Sequence, residues 1–191
     1  GVVSQIIATK IMIELKHLGA LAGVAVRSYG TIAEEDNDGG APMYVLSHLL
    51  PKEPEWIPDA VVHTEGTGDV ATSACGIYTG QRGRMQIEVE VVGRSSHGSM
   101  TWMGVNPLEY GAAIITEARV RFDAGKDDGA GFDPFLGQGT RTASWAECRT
   151  PSDCAVPASF TFRFDRRLTA GEAPADSLAA VERLPSVARA R

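Results

Sequence analysis

The stretch MQIEVEVV, residues 85–92, decides how this sequence is expected to fold. Its first seven positions alternate an apolar side chain with a glutamine or glutamate. Such alternation is typical of a β-strand that buries one face and exposes the other. The segment before it, residues 80–83, contains two glycines and is expected to act as a hinge. We therefore predict that a second domain begins at residue 80.

The elements that follow this strand predict a small sandwich of helices on a sheet. The pattern indicates a helix over residues 106–120, strands over 140–147 and 158–164, and a last helix over 173–184. Strand, helix, strand, strand, helix is the order of a split βαβ (ferredoxin-like) domain that lacks its last strand, here residues 80–191. Three aromatic side chains share one face of the third strand: Phe160, Phe162 and Phe164.

Residues 1–79 are expected to form part of an open parallel sheet. Apolar spacing predicts a helix that ends near Gly19, a strand over residues 21–32, a helix over 41–50 and a strand over 60–64. Two parallel strands joined by a helix are the crossover unit of such a sheet. The predicted fold class is therefore α/β, with a partial parallel-sheet domain followed by the split βαβ domain.

Composition argues against several classes of partner. The chain has 191 residues, a formal net charge of -6 and no cluster of Lys and Arg, so nucleic acid is not expected to bind. No apolar run reaches the roughly 18 residues that a membrane-spanning helix needs. Three cysteines are too few and too irregularly spaced for a disulfide framework, which indicates a reducing compartment and a cytoplasmic location.

Acidic residues follow both strands predicted in the first domain. Glu34, Glu35 and Asp36 come directly after the first of these strands, and Glu65 comes after the second. Ligands bind at the carboxyl ends of strands in open α/β sheets, so these carboxylates could meet at one metal ion. The alternative is a solvated acidic loop and a turn. His97 stands in a small polar stretch, and taken alone it is more typical of a surface histidine.

Six strings, taken in order, resemble a zinc-dependent amidohydrolase and metallopeptidase family. They lie at residues 34–39, 64–67, 80–85, 88–93, 96–99 and 164–169. That family includes aminoacylase, acetylornithine deacetylase, succinyl-diaminopimelate desuccinylase and carboxypeptidase G. The nearest subgroup by resemblance is the peptidases or deacetylases linked to selenium metabolism, which share the Arg-Arg-Leu-Thr form of residues 166–169.

The resemblance implies a role for each of five residues. Glu34 matches the general base, and Glu35 and Glu65 match ligands of two zinc ions. His97 matches a histidine of the lid domain that reaches into the partner subunit's site and stabilises an oxyanion. Arg167 matches the lid arginine that binds a substrate carboxylate. The implied partners are a small N-acyl amino acid or peptide substrate and a second copy of the chain, joined through the lid.

Departures from the family pattern limit what the chain is expected to do. The family's His-x-Asp motif, its bridging aspartate and its final histidine have no match here. The usual Glu-Pro-Thr is Glu65-Gly66-Thr67. We therefore expect an internal fragment of a metal-dependent amidohydrolase that is inactive alone. Two alternatives stay open: a non-catalytic dimerisation module, and a degenerate homologue of this length.

Overall fold

A computed structural model of the chain describes residues 1–30, 43–63, 68–69, 74–75, 80–126 and 131–191. The chain divides into two compact units, Gly1–Ile77 and Tyr78–Arg191. The boundary predicted from the sequence lies between residues 79 and 80. None of the helices in the described ranges is long and apolar enough to cross a membrane.

The first unit is mainly helical in its described parts. Helix α1 spans Val2–His17, a π-helix spans Val45–Leu49, and two 3-10 turns follow it at Leu50–Lys52 and Pro54–Trp56. None of the residues of α1 is buried. Leu50 is the one residue of this unit that is buried, among those whose burial is described.

Two short strands pair with each other in the same unit. Strand β1 spans Gly68–Asp69 and strand β2 spans Ala74–Cys75, and they pair antiparallel. The strands predicted at residues 21–32 and 60–64 are wrong for the part that is described, because residues 21–30 and 60–63 contain no strand.

The physical reason is that an apolar run becomes a strand only where another strand pairs with its backbone. No strand in the described residues of this unit pairs with residues 21–30, and the carbonyl oxygen of Tyr29 accepts a hydrogen bond from the Gln5 side chain instead. The segment also opens with Leu21 and Gly23 at positive φ, which bends the chain away from an extended path. The apolar composition of residues 21–30 therefore predicted neither a strand nor burial correctly, since Val24 and Val26 are exposed.

The second unit contains an open three-stranded antiparallel sheet. Its strands are β3 (Gly83–Val92), β7 (Thr140–Arg149) and β9 (Ser159–Leu168), and their order is β3-β9-β7. Among the described residues of this unit, four two-residue strands lie outside this sheet: β4 (Ser96–His97), β5 (Phe132–Asp133), β6 (Gly137–Gln138) and β8 (Ala155–Val156). The predicted α/β class is confirmed, and so is the predicted order of the long elements in this unit: strand, helix, strand, strand, helix.

The described residues of this unit also form three α-helices. Helix α2 spans Pro107–Asp123, α3 spans Pro174–Glu182 and α4 spans Pro185–Ala190. The Asn106 side chain caps α2 by accepting a hydrogen bond from the Leu108 backbone N–H at 3.1 Å. The chain runs from β3 through α2 to β7 and then returns through β9 between them, which is the split βαβ connection.

The hydrophobic core lies between the sheet and the helices. The rings of Phe160, Phe162 and Phe164 form a ladder along β9, with centroids 5.6 and 5.3 Å apart. Gly111 lets α2 approach this ladder, because a Cβ atom there would collide with the Phe160 ring. The buried core residues are Ile87, Val91, Ile114, Ala118, Phe160, Phe162, Phe164, Val181 and Leu184.

Strand alternation gives the sheet two different faces. The side chains of Phe160 to Phe164 that point toward the helices make the covered face, and Arg166 and Leu168 continue it to the end of β9. The side chains between them make the open face, which carries Arg163, Asp165 and Arg167 from the central strand. The open face is the part of this unit where the predicted substrate arginine lies.

Candidate functional site

Three of the predicted site residues, Glu34, Glu35 and Glu65, lie outside the described residues. Their roles as general base and metal ligands therefore stay predictions. Within the described ranges, no group of three or more histidine, cysteine, aspartate or glutamate side chains could hold a metal ion. The other two, His97 and Arg167, belong to the second unit, where their surroundings are described.

Arg167 is displayed on the open face, one residue before the end of β9. Its Nε donates to Asp165 Oδ1 at 2.8 Å, and its Nη2 donates to Asp165 Oδ2 at 3.4 Å. The two residues are two apart on one strand, so alternation places both on the same face. Asp165 thus fixes one edge of the guanidinium, while 45% of the Arg167 side chain stays exposed.

Arg84 joins this pair from the neighbouring strand. It lies opposite Arg167 in the β3–β9 register, and its Nε donates to Asp165 Oδ2 at 2.7 Å. One carboxylate therefore bridges two guanidinium groups, and a single oxygen of it contacts both. We call Arg84, Asp165 and Arg167 the arginine–aspartate cluster.

Asp165 keeps its negative charge in this setting. Partial burial by itself raises the pKa of the carboxyl group, but the hydrogen bonds and positive charges of Arg84 and Arg167 outweigh it and lower the pKa below the ordinary value. The charge that orients both arginines is consequently present at neutral pH.

A third arginine on the open face is engaged differently. Arg163 donates through Nε to Glu88 Oε2 at 2.7 Å, and its guanidinium carbon lies 4.4 Å from the centroid of the Trp145 ring. The pair is surface-exposed, at 39% for Arg163 and 55% for Glu88. Arg163 is therefore held between an acid and an aromatic face, which distinguishes it from Arg167.

His97 lies in a loop that several backbone contacts hold in place. Strand β4 (Ser96–His97) pairs with β8 (Ala155–Val156), and a 3-10 segment, Gly98–Met103, follows at once. The Gly98 N–H donates to the Cys154 carbonyl oxygen at 2.8 Å. A Cβ atom on Gly98 would lie 2.6 Å from that oxygen, so this close backbone approach requires glycine.

The hydrogen bonds of the His97 ring determine where its proton lies. Nδ1 accepts from the Ser99 backbone N–H at 3.2 Å and lies 2.8 Å from the Ser99 hydroxyl oxygen. A ring nitrogen that accepts a backbone hydrogen bond carries no proton, so the neutral ring carries its proton on Nε2. The exposed Nε2–H is then a donor, which is the polarity that stabilisation of an oxyanion requires.

The structure does not bring His97 and Arg167 together within one chain. His97 pairs with Ala155, ahead of the first residue of β9, whereas Arg167 is next to the last. At about 3.3 Å per residue, the stretch from Ser159 to Arg167 alone spans roughly 26 Å. One small substrate cannot touch both side chains of a single copy.

A second ion pair lies on the covered face, directly behind the cluster. Arg166 Nη2 donates to Glu172 Oε1 at 2.8 Å, and their side chains are only 1% and 5% exposed. Glu172 Oε2 accepts from the Thr169 backbone N–H at 2.6 Å, and Oε1 also accepts from the Gly131 N–H. Arg166 also donates to the Arg167 carbonyl oxygen. This buried pair holds the backbone of the residue that the open face displays.

Sequence reasoning identified Arg167 but assigned no role to its two partners. Asp165 stood in the matched string, and the alternation of β9 could have placed it beside Arg167. Arg84 also stood in a matched string, but its proximity depends on the β3–β9 register, which no local pattern specifies. For Arg84 the missing signal was therefore the long-range pairing of β3 with β9 and not residue type.

Comparisons with known proteins match the second unit to a family and the whole chain to curated relatives. The family described as "Peptidase dimerisation domain" matches residues 79–188, which is more than half of the chain. The "Uncharacterized protein YgeY" of Escherichia coli (strain K12) is 36% identical over 190 residues, which is 100% of this chain. The same protein of Escherichia coli O157:H7 has the same identity. The chain spans 42% of the length of each of these curated relatives.

Solved structures give weaker likenesses. An amidase of the hydantoinase/carbamoylase family from Burkholderia vietnamiensis is 20% identical, with a TM-score of 0.43 over 58% of this chain and 24% of that chain. The aminopeptidase PepT from Bacillus cereus is 13% identical, with a TM-score of 0.40 over 53% of this chain and 24% of that chain. Similarity at this level carries no functional argument.

Proposed function

Since this chain belongs to the peptidase dimerisation domain family, we propose that it supplies the lid of a metal-dependent amidohydrolase that cleaves N-acyl amino acids or small peptides. The observation that carries this proposal is the display of Arg167 on the open face, with one edge of its guanidinium fixed by Asp165. A fork held in this way suits the two oxygens of a substrate carboxylate.

His97 supplies the second element of the proposal. Its Nε2–H would stabilise the oxyanion that develops as the amide carbonyl is attacked. Because it lies roughly 26 Å along the sheet from Arg167, it would act on the substrate held by another copy of the chain. The proposed enzyme is therefore a homodimer in which each lid completes the site of its partner.

The metal chemistry is proposed on the sequence resemblance. Glu35 and Glu65 would each ligate one of two zinc ions, and Glu34 would take a proton from the attacking water. When bound, such ions polarise the amide carbonyl and lower the pKa of bound water. A zinc site needs about four ligands, so two carboxylates are not expected to give an active site in this chain alone.

The test compares this chain with a version extended by its flanking gene sequence to the length of the curated relatives. Each is assayed for amine release from a panel of N-acetyl amino acids and dipeptides, with added Zn²⁺ or with a chelator. We expect metal-dependent release by the extended protein only. Replacement of Glu34 by Gln should lower kcat about 100-fold or more, as for loss of a general base.

Arg167→Gln and Arg163→Gln form a matched pair in the same assay. The first removes the proposed carboxylate ligand and should raise KM, whereas the second removes an arginine of the same face and should leave KM unchanged. Absence of metal-dependent release by the extended protein across the whole panel would contradict the proposal.

A second candidate function is a non-catalytic dimerisation module. It is favoured by β7, which is an edge strand of the sheet and in which every residue except Arg141 is exposed. A second copy could pair with this edge about a twofold axis. Sedimentation of the chain tests it: a dimer that dissociates when Ala146, on β7, is replaced by Pro supports the module, and a monomer at high concentration contradicts it.

The relation to selenium-linked peptidases and deacetylases is part of the proposal. It rests on the string Arg166-Arg167-Leu168-Thr169. In this chain the first arginine faces the core and the second faces the open side. A deacetylase activity would appear in the assay above as a preference for N-acetyl amino acids over dipeptides.

A further inference from the structure

We propose that Met100, Trp102 and Met103 bind the acyl group of the substrate whose carbonyl His97 contacts, so that the enzyme prefers medium-chain N-acyl amino acids to N-acetyl ones. We call these three side chains the acyl platform. The inference rests on the proposed function, because it concerns the same substrate. It goes beyond that function by naming the class of acyl group and the residues that select it.

The acyl platform belongs to a loop whose ends are tied together. The Arg94 backbone N–H donates to the Val105 carbonyl oxygen at 3.0 Å, and the Val105 N–H donates to the Arg94 carbonyl oxygen at 2.9 Å. Arg94 Nε also donates to the Met103 carbonyl oxygen at 2.9 Å. Residues 95–104, which include His97 and the acyl platform, therefore form one closed loop.

Further contacts hold the interior of this loop. The Gly98 N–H donates to the Cys154 carbonyl oxygen at 2.8 Å, and the Gly104 N–H donates to the Thr101 carbonyl oxygen at 3.0 Å. A Cβ atom on Gly104 would lie 2.5 Å from Ser96 Oγ, so the two arms of the loop pack closely. A loop held at several points loses little conformational entropy when a ligand binds to its side chains.

The side chains of the acyl platform are exposed although they are apolar. Trp102 is 76% exposed, Met103 is 56% exposed and Met100 is 41% exposed. The loop sequence SSHGSMTWMG contains no Asp, Glu, Lys or Arg, so charge does not select its ligand. Grouped apolar side chains on a surface are typical of a binding site. Trp offers a large rigid surface, and Met adapts to the shape of a flexible chain.

The size of the acyl platform fits a small apolar group better than a protein. At about 150–250 Å² for each large side chain, the exposed fractions amount to roughly 400 Å². A stable protein interface buries about 800 Å² on each partner. An acyl chain needs much less apolar surface, and each methylene that it removes from water strengthens binding about fourfold.

The position of His97 determines which part of the substrate meets the acyl platform. In the proposed function its Nε2–H contacts the amide carbonyl oxygen, whereas the partner's Arg167 binds the carboxylate of the amino acid. The acyl chain leaves the carbonyl carbon on the side away from that carboxylate. Trp102 follows His97 by five residues in a 3-10 segment, which places their Cα atoms within roughly 10 Å. The acyl chain is therefore the part of the substrate nearest to the acyl platform.

The test measures kcat and KM of the extended protein for N-acyl-L-alanines from acetyl to octanoyl, with added Zn²⁺. We expect kcat/KM to rise about twofold to fourfold for each added methylene. Trp102→Ala should lower the octanoyl-to-acetyl ratio of kcat/KM about tenfold, mainly through KM. Trp102→Phe keeps an aromatic surface and should retain most of the ratio. Thr101→Ala, in the same loop, should leave the ratio unchanged.

A binding measurement separates this inference from the proposed function. The difference in fluorescence emission between the parent protein and Trp102→Phe reports on Trp102. N-octanoyl-L-alanine should shift this emission to shorter wavelength and saturate, and N-acetyl-L-alanine should shift it less, in the presence of a chelator that stops hydrolysis. A saturable shift without hydrolysis of any substrate would retain the acyl platform and remove the enzyme.

Three results would overturn the acyl platform. They are the absence of a shift with N-octanoyl-L-alanine, equal changes of the ratio in Trp102→Ala and Thr101→Ala, and a dimer that dissociates in sedimentation when Trp102 is replaced by Ala. The last would mean that the loop covers protein and not substrate. Met103→Gln changes the side-chain volume little and should lower the ratio in the same direction, so the test does not depend on the folding of one variant.

Discussion

Two neighbouring arginines of β9 lie in opposite environments, because their side chains are on opposite faces of the sheet. Arg166 is 1% exposed on the covered face and pairs with Glu172, whereas Arg167 is 45% exposed on the open face and pairs with Asp165. Both pairs have an N–O distance of 2.8 Å. The N–O distance alone therefore does not determine how much an ion pair contributes to stability. The burial of the pair and its other hydrogen-bond partners determine it.

The surroundings differ in how completely the charges are satisfied. Glu172 accepts from Arg166 and from the backbone N–H groups of Gly131 and Thr169, so both of its oxygens are used inside the protein. A buried charge needs such partners, because removal of one leaves the other unpaired away from water. In the open-face pair, Asp165 is 14% and Arg167 45% exposed, so solvent screens this pair more than the buried one.

The same substitution on the two faces should give the largest contrast. Glu172→Gln leaves the guanidinium of Arg166 buried without its counter-charge, and we expect the free energy of unfolding to fall by about 3 kcal/mol. Glu88→Gln, on the open face, removes the partner of Arg163 and should cost less than about 1 kcal/mol. Urea denaturation of the two variants and the parent chain measures both values.

Equal losses in those two variants would contradict the contrast, because they would mean that burial adds nothing to the Arg166–Glu172 pair. Partial unfolding of Glu172→Gln would not hide the result. The Gly131 and Thr169 N–H groups donate to Glu172, so their amide hydrogen exchange reports the loss of the pair locally.

Lowering the pH should also reduce the stability that the buried Arg166–Glu172 pair contributes, by a smaller amount than the substitution. Burial raises the pKa of Glu172, but the N–H groups of Gly131 and Thr169 and the charge of Arg166 outweigh it, so the pKa lies below its ordinary value. The unfolded state then binds more protons, and the stability that Glu172 contributes is full above its unfolded pKa of about 4.3. It is lost as the pH falls through that value toward the lowered pKa.

The measurement is the free energy of unfolding between pH 7 and pH 3 for the parent chain and for Glu172→Gln. The two curves should lie apart at neutral pH and approach each other below about pH 5, where Glu172 begins to bind a proton in the unfolded state. High salt should leave this convergence in place, since a buried pair is screened little. A constant separation down to pH 3 would show that the charge of Glu172 is not the cause.

The sequence predicted the apolar part of the covered face better than its charged end, for a physical reason. Alternation of apolar and polar side chains in residues 85–92 and the three phenylalanines of β9 are local signals, and burial follows directly from them. Arg166 lies at an inward-facing position of β9, although its charge alone would predict that its side chain is exposed. Its burial depends on Glu172, six residues further on, and on Gly131 from another loop.

In the first unit the local pattern predicted strands that the described residues do not form. Residues 21–30 are apolar enough for a strand, but a strand also needs a partner for its backbone, and the described residues supply none. The candidate site divides in the same way. Arg167 and His97 could be named from short strings, whereas the bridge from Arg84 to Asp165 depends on pairing between segments about 80 residues apart.

The smallest expected effect concerns Arg163, which lies on the open face and takes part in neither the Arg167–Asp165 pair nor the Arg166–Glu172 pair. It contacts Glu88 and the ring of Trp145 near the surface, so we expect Arg163→Gln to lower the free energy of unfolding by less than about 1 kcal/mol. Comparison with Trp145→Leu and with the double variant separates the ring contact from the ion pair. A coupling that persists in 1 M NaCl assigns the contact to the ring, because salt screens the exposed pair with Glu88. A loss of 3 kcal/mol would erase the distinction between the faces, since an exposed arginine would then matter as much as the buried one.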